Sequence, residues 1–237
     1  DHNIARYGTG AEYAIQLDAT SEPGGVFARL LGVGDEGIRA TARGEGDAQT
    51  GSAALRASIG EDEQLLTGLV SWTPERWNIS RAEAQLDRLP MLETIARRIG
   101  PRVSLAASGD HNGAFEARAE TPFLALDIEG AFNEEGELDG PAPFVATTQN
   151  LSDIARESPF GLGAARLGGE LRRARGTTAI QATLDAQSVD AFGQRTRLVG
   201  PVTAALAAER FALDADLRAP AQSTPLFAQA RLRTDLE

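Results

Sequence analysis

Apolar and polar residues alternate with period two over most of this chain. Across Glu12–Ala19, Tyr13, Ile15, Leu17 and Ala19 fall on one side, with Glu12, Gln16 and Asp18 on the other. Across Ile180–Ser188, Ile180, Ala182, Leu184 and Ala186 alternate with Gln181, Thr183, Asp185 and Gln187. Across Phe211–Arg218, Phe211, Leu213, Ala215 and Leu217 alternate with Ala212, Asp214, Asp216 and Arg218. Successive side chains of a strand point to opposite faces, so each segment reads as a strand with one apolar face. Weaker alternation marks further strands at Arg39–Arg43, Ala53–Ile59, Val103–Ala107, Phe115–Ala119, Leu124–Phe132, Val202–Ala208 and Phe227–Leu232.

Turn signals separate these runs: Pro23-Gly24-Gly25, Ser108 to Gly113, Asn133 to Gly136, Gly168-Gly169, Phe192-Gly193 and Gly200-Pro201. Leu65–Trp72 and Trp77–Ser80 flank Thr73-Pro74-Glu75-Arg76, a four-residue hairpin turn with Pro where φ must be near −65°. Helical spacing is confined to Leu89–Ile99, where Leu89, Leu92, Ala96 and Ile99 recur at 3-4-3, and to short turns at Val26–Leu31 and Leu151–Arg156. Many strands at this spacing predict an all-β fold, a long antiparallel meander with one or two short helices. The expected organisation is one elongated β-domain over residues 1–237, a piece of a longer chain, with subdivision near 150–160 as the alternative.

Composition removes most catalytic chemistry. The 237 residues include no Cys and no Lys, so thiol nucleophiles, thiolate metal sites, P-loops and Schiff bases are excluded. The net charge of −11 argues against a chain that neutralises phosphates, so no nucleic-acid partner is expected. The longest apolar runs, such as Phe123 to Leu126, fall far short of the about 20 residues of a membrane-spanning helix.

The remaining motifs read as structure. Gly32-Val33-Gly34-Asp35-Glu36-Gly37 matches G-x-G-x-x-G, but the alternating Ile38–Arg43 follows where a dinucleotide site needs a helix. Ser108, Asp110 and His111 share one turn, whereas a triad needs its base on a separate element, and the only other histidine is His2. Asp214 and Asp216 fall on the outward face of a strand, while Glu61-Asp62-Glu63 and Glu134-Glu135 lie in turns. The one basic cluster, Arg172-Arg173-Ala174-Arg175 with Arg166 upstream, reads as a solvated strand end, a phospholipid headgroup contact being its functional alternative. Trp72 and Trp77 flank one turn and read as a cross-strand pair, with a sugar platform as the alternative. No catalytic residue, metal site or cofactor is expected.

Three stretches carry a family resemblance. They are Val26 to Gly32 followed by Gly37 to Gly46; Leu66 to Trp72, Arg76 to Ile79 and the helix Met91–Ile99 leading into Gly100 to Leu105; and Gly169 through Arg218. In these Gly-punctuated alternating runs the chain resembles the TamB (translocation and assembly module, DUF490) and AsmA-like envelope proteins, as an interior segment. The resemblance implies a twisted sheet folded into an open groove, the β-taco, apolar inside and polar outside. It implies a periplasmic segment of an inner-membrane-anchored bacterial protein, phospholipid transport to the outer membrane, and outer-membrane assembly proteins as partners.

On that reading the groove lining for acyl chains is Ile180, Ala182, Leu184, Leu213, Ala215 and Leu217. Small inward residues such as Ala182, Ala186, Ala204 and Ala215 leave volume that a closed sandwich would fill with larger side chains. Two other functions remain open: a structural β-repeat or adhesin-like interaction module, and a carbohydrate-binding β-sandwich. A solenoid needs one fixed period, and the turns here are unevenly spaced.

Overall fold

Strand follows strand along the chain with hardly any interruption, as the alternation demands. The computed structural model describes residues 2–7, 13–25, 33, 36–47, 49–60, 63–135, 137–154, 161–174, 177–189, 195–207, 210–219 and 227–235. The first strands are β1 (His2–Tyr7), β2 (Tyr13–Ser21), β3 (Ile38–Gly46), β4 (Gly51–Ile59), β5 (Glu63–Trp72) and β6 (Arg76–Gln85). A helical connection containing α1 (Glu93–Ile99) leads to β7 (Arg102–Asp110), β8 (Ala114–Glu120), β9 (Ala125–Ala131) and β10 (Ala142–Thr148). Then come β11 (Gly161–Ala174), β12 (Thr177–Val189), β13 (Arg195–Ala207), β14 (Arg210–Arg218) and β15 (Phe227–Asp235). The fold is all-β.

The chain divides into two compact units, one holding β1–β7 and the other β9–β15, with β8 shared between them. Within each unit the hydrogen-bonded order repeats the chain order, and every registered pair is antiparallel. Among the described residues β1 pairs only with β2 and β15 only with β14, so each unit is an open meander.

Two expected turns lie inside strands. Gly168-Gly169 falls within β11, and Gly200-Pro201 within β13. Gly169 stands opposite Ala182, where an added Cβ would overlap the β12 backbone. Gly200 likewise leaves no room for a Cβ against Asp216 and Leu217. Pro201 faces Thr183 on β12 and has no registered partner on β14, so its missing N–H breaks no rung there. Glycine here permits close approach of two backbones. β1, β10 and β11 had no alternating signature of their own in the sequence.

The helical expectations shrink in the structure. Leu89–Ile99 becomes a 3₁₀ turn at Pro90–Leu92 followed by α1, and Leu151–Arg156 is described only as a 3₁₀ turn at Leu151–Asp153 and Ile154. Asn150 caps that turn by accepting from the Ser152 N–H at 3.3 Å. The turn at Val26–Leu31, Phe192-Gly193 and the carboxylates Glu61-Asp62 lie outside the described residues.

Bulges redirect the first unit. Ala57 pairs with Leu66 and Ser58 with Gln64, which leaves Leu65 as an extra residue on β5. A bulge re-aims a side chain, and Leu65 is 7% exposed in a cluster with Ile59 (2%) and Val33. Ile38, Ala57 and Leu89 pack against that cluster. β6 carries its own extra residue against both neighbours, with register shifts between Leu69/Val70 and between Ile79/Ala82.

Candidate functional site

Register converts the alternation into continuous faces. In the second unit, Phe144, Gly169, Ala182, Val202, Ala215 and Ala230 form one row across β10–β15, each residue opposite the next. Two residues along the strands on one side lie Leu171, Ile180, Ala204, Leu213 and Leu232, again in register. On the other side Leu167 pairs with Leu184 and Leu184 with Gly200, and Leu217 pairs with Ala228. From β11 to β14 the central row is Gly, Ala, Val and Ala. It is a furrow of small residues running across the strands between rows rich in Leu and Ile. Three strand spacings make it about 14 Å long.

All six residues expected to line an apolar groove fall in this patch. Ala182 and Ala215 are on the furrow floor, and Ile180, Leu184, Leu213 and Leu217 on its flanks. Each is half-buried. Among the described residues no large side chain is fully buried, and Leu206, on the same face, is 42% exposed. On the same face Phe144 (8%), Val202 (9%) and Leu198 (7%) are buried, so the face is open in part, toward Leu206.

The opposite face holds the charged residues, among Ala179, Val199, Pro201, Ala205 and Ala212. Thr183 is exposed, and Arg197 reaches diagonally from β13 to Asp185 on β12 through hydrogen bonds of 2.8 and 2.6 Å. This paired hydrogen bonding holds the Asp185 carboxyl below the usual carboxylate range, with Arg166 adding a smaller electrostatic pull. Asp216 pairs with Arg218 at 3.2 Å, and Glu170 with Arg172 at 2.9 Å. Arg173 is exposed, and Arg175 lies outside the described residues. Asp185, Asp216 and Glu170 of this unit thus sit in surface ion pairs, as does Arg172 of the basic cluster.

The first unit is built the same way. Leu17, Ala42, Leu55, Gly68, Ala82 and Leu105 form one row across β2–β7. Leu55 and Leu105 on this face are 37% and 36% exposed. On the polar face Arg39 binds Asp18 diagonally, at 3.3 and 2.6 Å, and lowers the Asp18 pKa in the same manner.

Trp72 and Trp77 stand directly opposite each other beside the hairpin turn. The Trp72 indole lies over Gly51 on β4, and its Nε1–H donates to the Asp47 carbonyl at 3.0 Å. Thr73 N–H donates to the Arg76 carbonyl at 2.7 Å, closing the turn. His111 bonds the Thr73 carbonyl through Nε2 at 2.9 Å, while Ser108 Oγ accepts from Arg76 at 3.4 Å. Ser108 and His111 therefore brace the hairpin separately, and the serine has its contact on a guanidinium. After Gly37 the chain enters β3, so the G-x-G-x-x-G stretch has no helix to hold a pyrophosphate.

The alternation marks the faces, whereas the furrow exists only through the register of its strands. No protein-family model, no curated protein and no solved structure matches this chain.

Proposed function

We propose that this chain is a non-enzymatic segment of a bacterial envelope protein whose apolar sheet face carries phospholipid acyl chains. The observation that carries the reading is the furrow: a floor of small residues, flanked by half-buried Leu and Ile, on the face opposite the one that holds the ion pairs. Removing hydrocarbon from water is worth roughly 0.8 kcal/mol per CH₂, so such a face lowers the cost of holding an acyl chain in an aqueous compartment. The resemblance to TamB and AsmA-like proteins supports a periplasmic location, a membrane anchor elsewhere in the parent chain, and a role in lipid delivery to the outer membrane or in outer-membrane protein assembly. The opposite faces of β12 and β14 then have different surroundings, hydrocarbon on one and water on the other.

Photo-crosslinking tests this directly. A photoreactive residue at Leu184 or Leu213 is expected to capture phospholipid in cells, and one at Thr183 or Asp214 is not. Lipid-free labelling at all four positions would overturn the reading, as would equal lipid labelling on both faces.

A further inference from the structure

The connection from β6 to β7 spans residues 86–101. Its base is the Leu86 N–H donating to the Pro101 carbonyl at 2.7 Å, just beyond the last strand pair, Gln85 with Arg102. Gly100, with φ +107°, supplies a turn that L side chains rarely adopt, and an added Cβ there would overlap Pro122. Between these two points lie short 3₁₀ turns and α1, none with a side-chain hydrogen bond at its N-cap. Seven residues are too few for an independently stable helix, which needs about 12–15. α1 therefore depends on packing, yet Ile95 is 48% exposed and only Ala96 of α1 is buried. Beyond the insertion, Leu89 packs against the Val33–Ile59–Leu65 cluster and Gly100 lies against Pro122. That cluster sits at the end of the apolar face of the first unit: Ile59 follows Ala57 on β4, and Leu65 precedes Leu66 on β5.

We infer that residues 86–101 form a hinged stopper, with Leu89 acting as an internal ligand that an incoming acyl chain displaces from Ile59 and Leu65. The inference rests on the acyl-binding reading of the face, and it adds that one end of the first unit's face opens and closes. The hinges are Leu86 and Gly100, and the strand pairs on either side stay intact as the stopper lifts. Because Leu89 and the acyl chain compete for one surface, opening and binding are linked: whatever weakens the Leu89 contact strengthens acyl binding by up to the same factor.

The test is amide hydrogen exchange on the whole chain, with and without lauric acid as the probe. Residues 86–99 are expected to exchange faster than β4 and β5, and lauric acid is expected to speed them further while slowing Ile59 and Leu65. Leu89→Ala is expected to raise exchange of the insertion about tenfold and to tighten laurate binding several-fold, with β4–β6 protection unchanged. Ile95→Ala, which alters an exposed side chain of the same insertion, is expected to change neither. Exchange of 86–99 as slow as that of the strands, or unaffected by both laurate and Leu89→Ala, overturns the stopper. The photo-crosslinks at Leu184 and Leu213 report separately on the second unit. Lipid capture there with an unresponsive insertion removes the stopper alone, whereas a responsive insertion without capture removes the conduit and leaves the stopper.

Discussion

Arg197 holds Asp185 across β12 and β13 by two hydrogen bonds, 2.8 and 2.6 Å, and it stands two residues from the residue that pairs with Asp185. Asp18 and Arg39 repeat this diagonal on β2 and β3. The two pairs span the same offset between neighbouring strands, each in its own unit.

Both aspartates have folded pKa values lowered chiefly by the arginine hydrogen bonds. Their stabilisation is thus fully present above the unfolded value of about 3.9 and is lost as pH falls through the folded values below it. The thermal midpoint is expected to drop as pH is lowered from about 4 to 2. Asp18→Asn combined with Asp185→Asn should lower the midpoint at pH 7 slightly and shrink the acid limb by the same small amount, because exposed pairs contribute little. An unchanged acid limb in thermal melts would count against these pairs.

Leu65 and Leu55 are one residue type in two environments. Leu65 is 7% exposed in the cluster beside the bulge, whereas Leu55 is 37% exposed on the apolar face. Leu65→Ala is expected to cost about 2–4 kcal/mol in urea unfolding, and Leu55→Ala under about 1 kcal/mol. Equal costs would mean that the apolar face is covered in solution.

Gly168 and Gly169 provide a paired test of the furrow floor. An added Cβ at Gly168 meets nothing within 4 Å, whereas one at Gly169 overlaps the Gln181 carbonyl and Ala182. Gly168→Ala is expected to be neutral or to stabilise by up to about 1 kcal/mol through the unfolded chain. Gly169→Ala is expected to destabilise by about 1–3 kcal/mol. The comparison needs only two melting curves.

Trp72 lies over Gly51, so the two positions are energetically coupled. Gly51→Ala forces the indole aside, and Trp72→Ala removes both the ring and its bond to the Asp47 carbonyl. The double variant is expected to be more stable than the sum of the single losses, by about 1 kcal/mol in a double-mutant cycle. Additive losses would show that the ring gives way freely. Loss of glycan binding without loss of stability in Trp72→Ala or Trp77→Ala would favour the carbohydrate-binding alternative.

Leu184→Asp separates an open face from a closed core. A carboxylate on an open face keeps access to water, so circular dichroism should show folded, mostly strand protein that no longer yields lipid crosslinks at Leu213. Unfolding of the variant would indicate a closed core, where the charge finds no solvent.

The alternation by itself determined the all-β class, the antiparallel meander, and which side of β2, β12 and β14 is apolar, because a side-chain period of two follows from backbone geometry alone. It placed Ile180, Ala182, Leu184, Leu213, Ala215 and Leu217 on apolar faces before any pairing was known. It misread Gly168-Gly169 and Gly200-Pro201 as turns, since a glycine that lets two backbones approach looks locally like one that lets the chain reverse. It also gave no sign that Leu65, adjacent to Leu66, would turn inward, because a bulge is defined by the partner strand as much as by its own. The tertiary structure alone decided the rows. Ala182 meets Gly169 and Val202, and Ala215 meets Ala230, only once each hairpin fixes its register. A shift of one residue would have sent every one of these side chains to the other face.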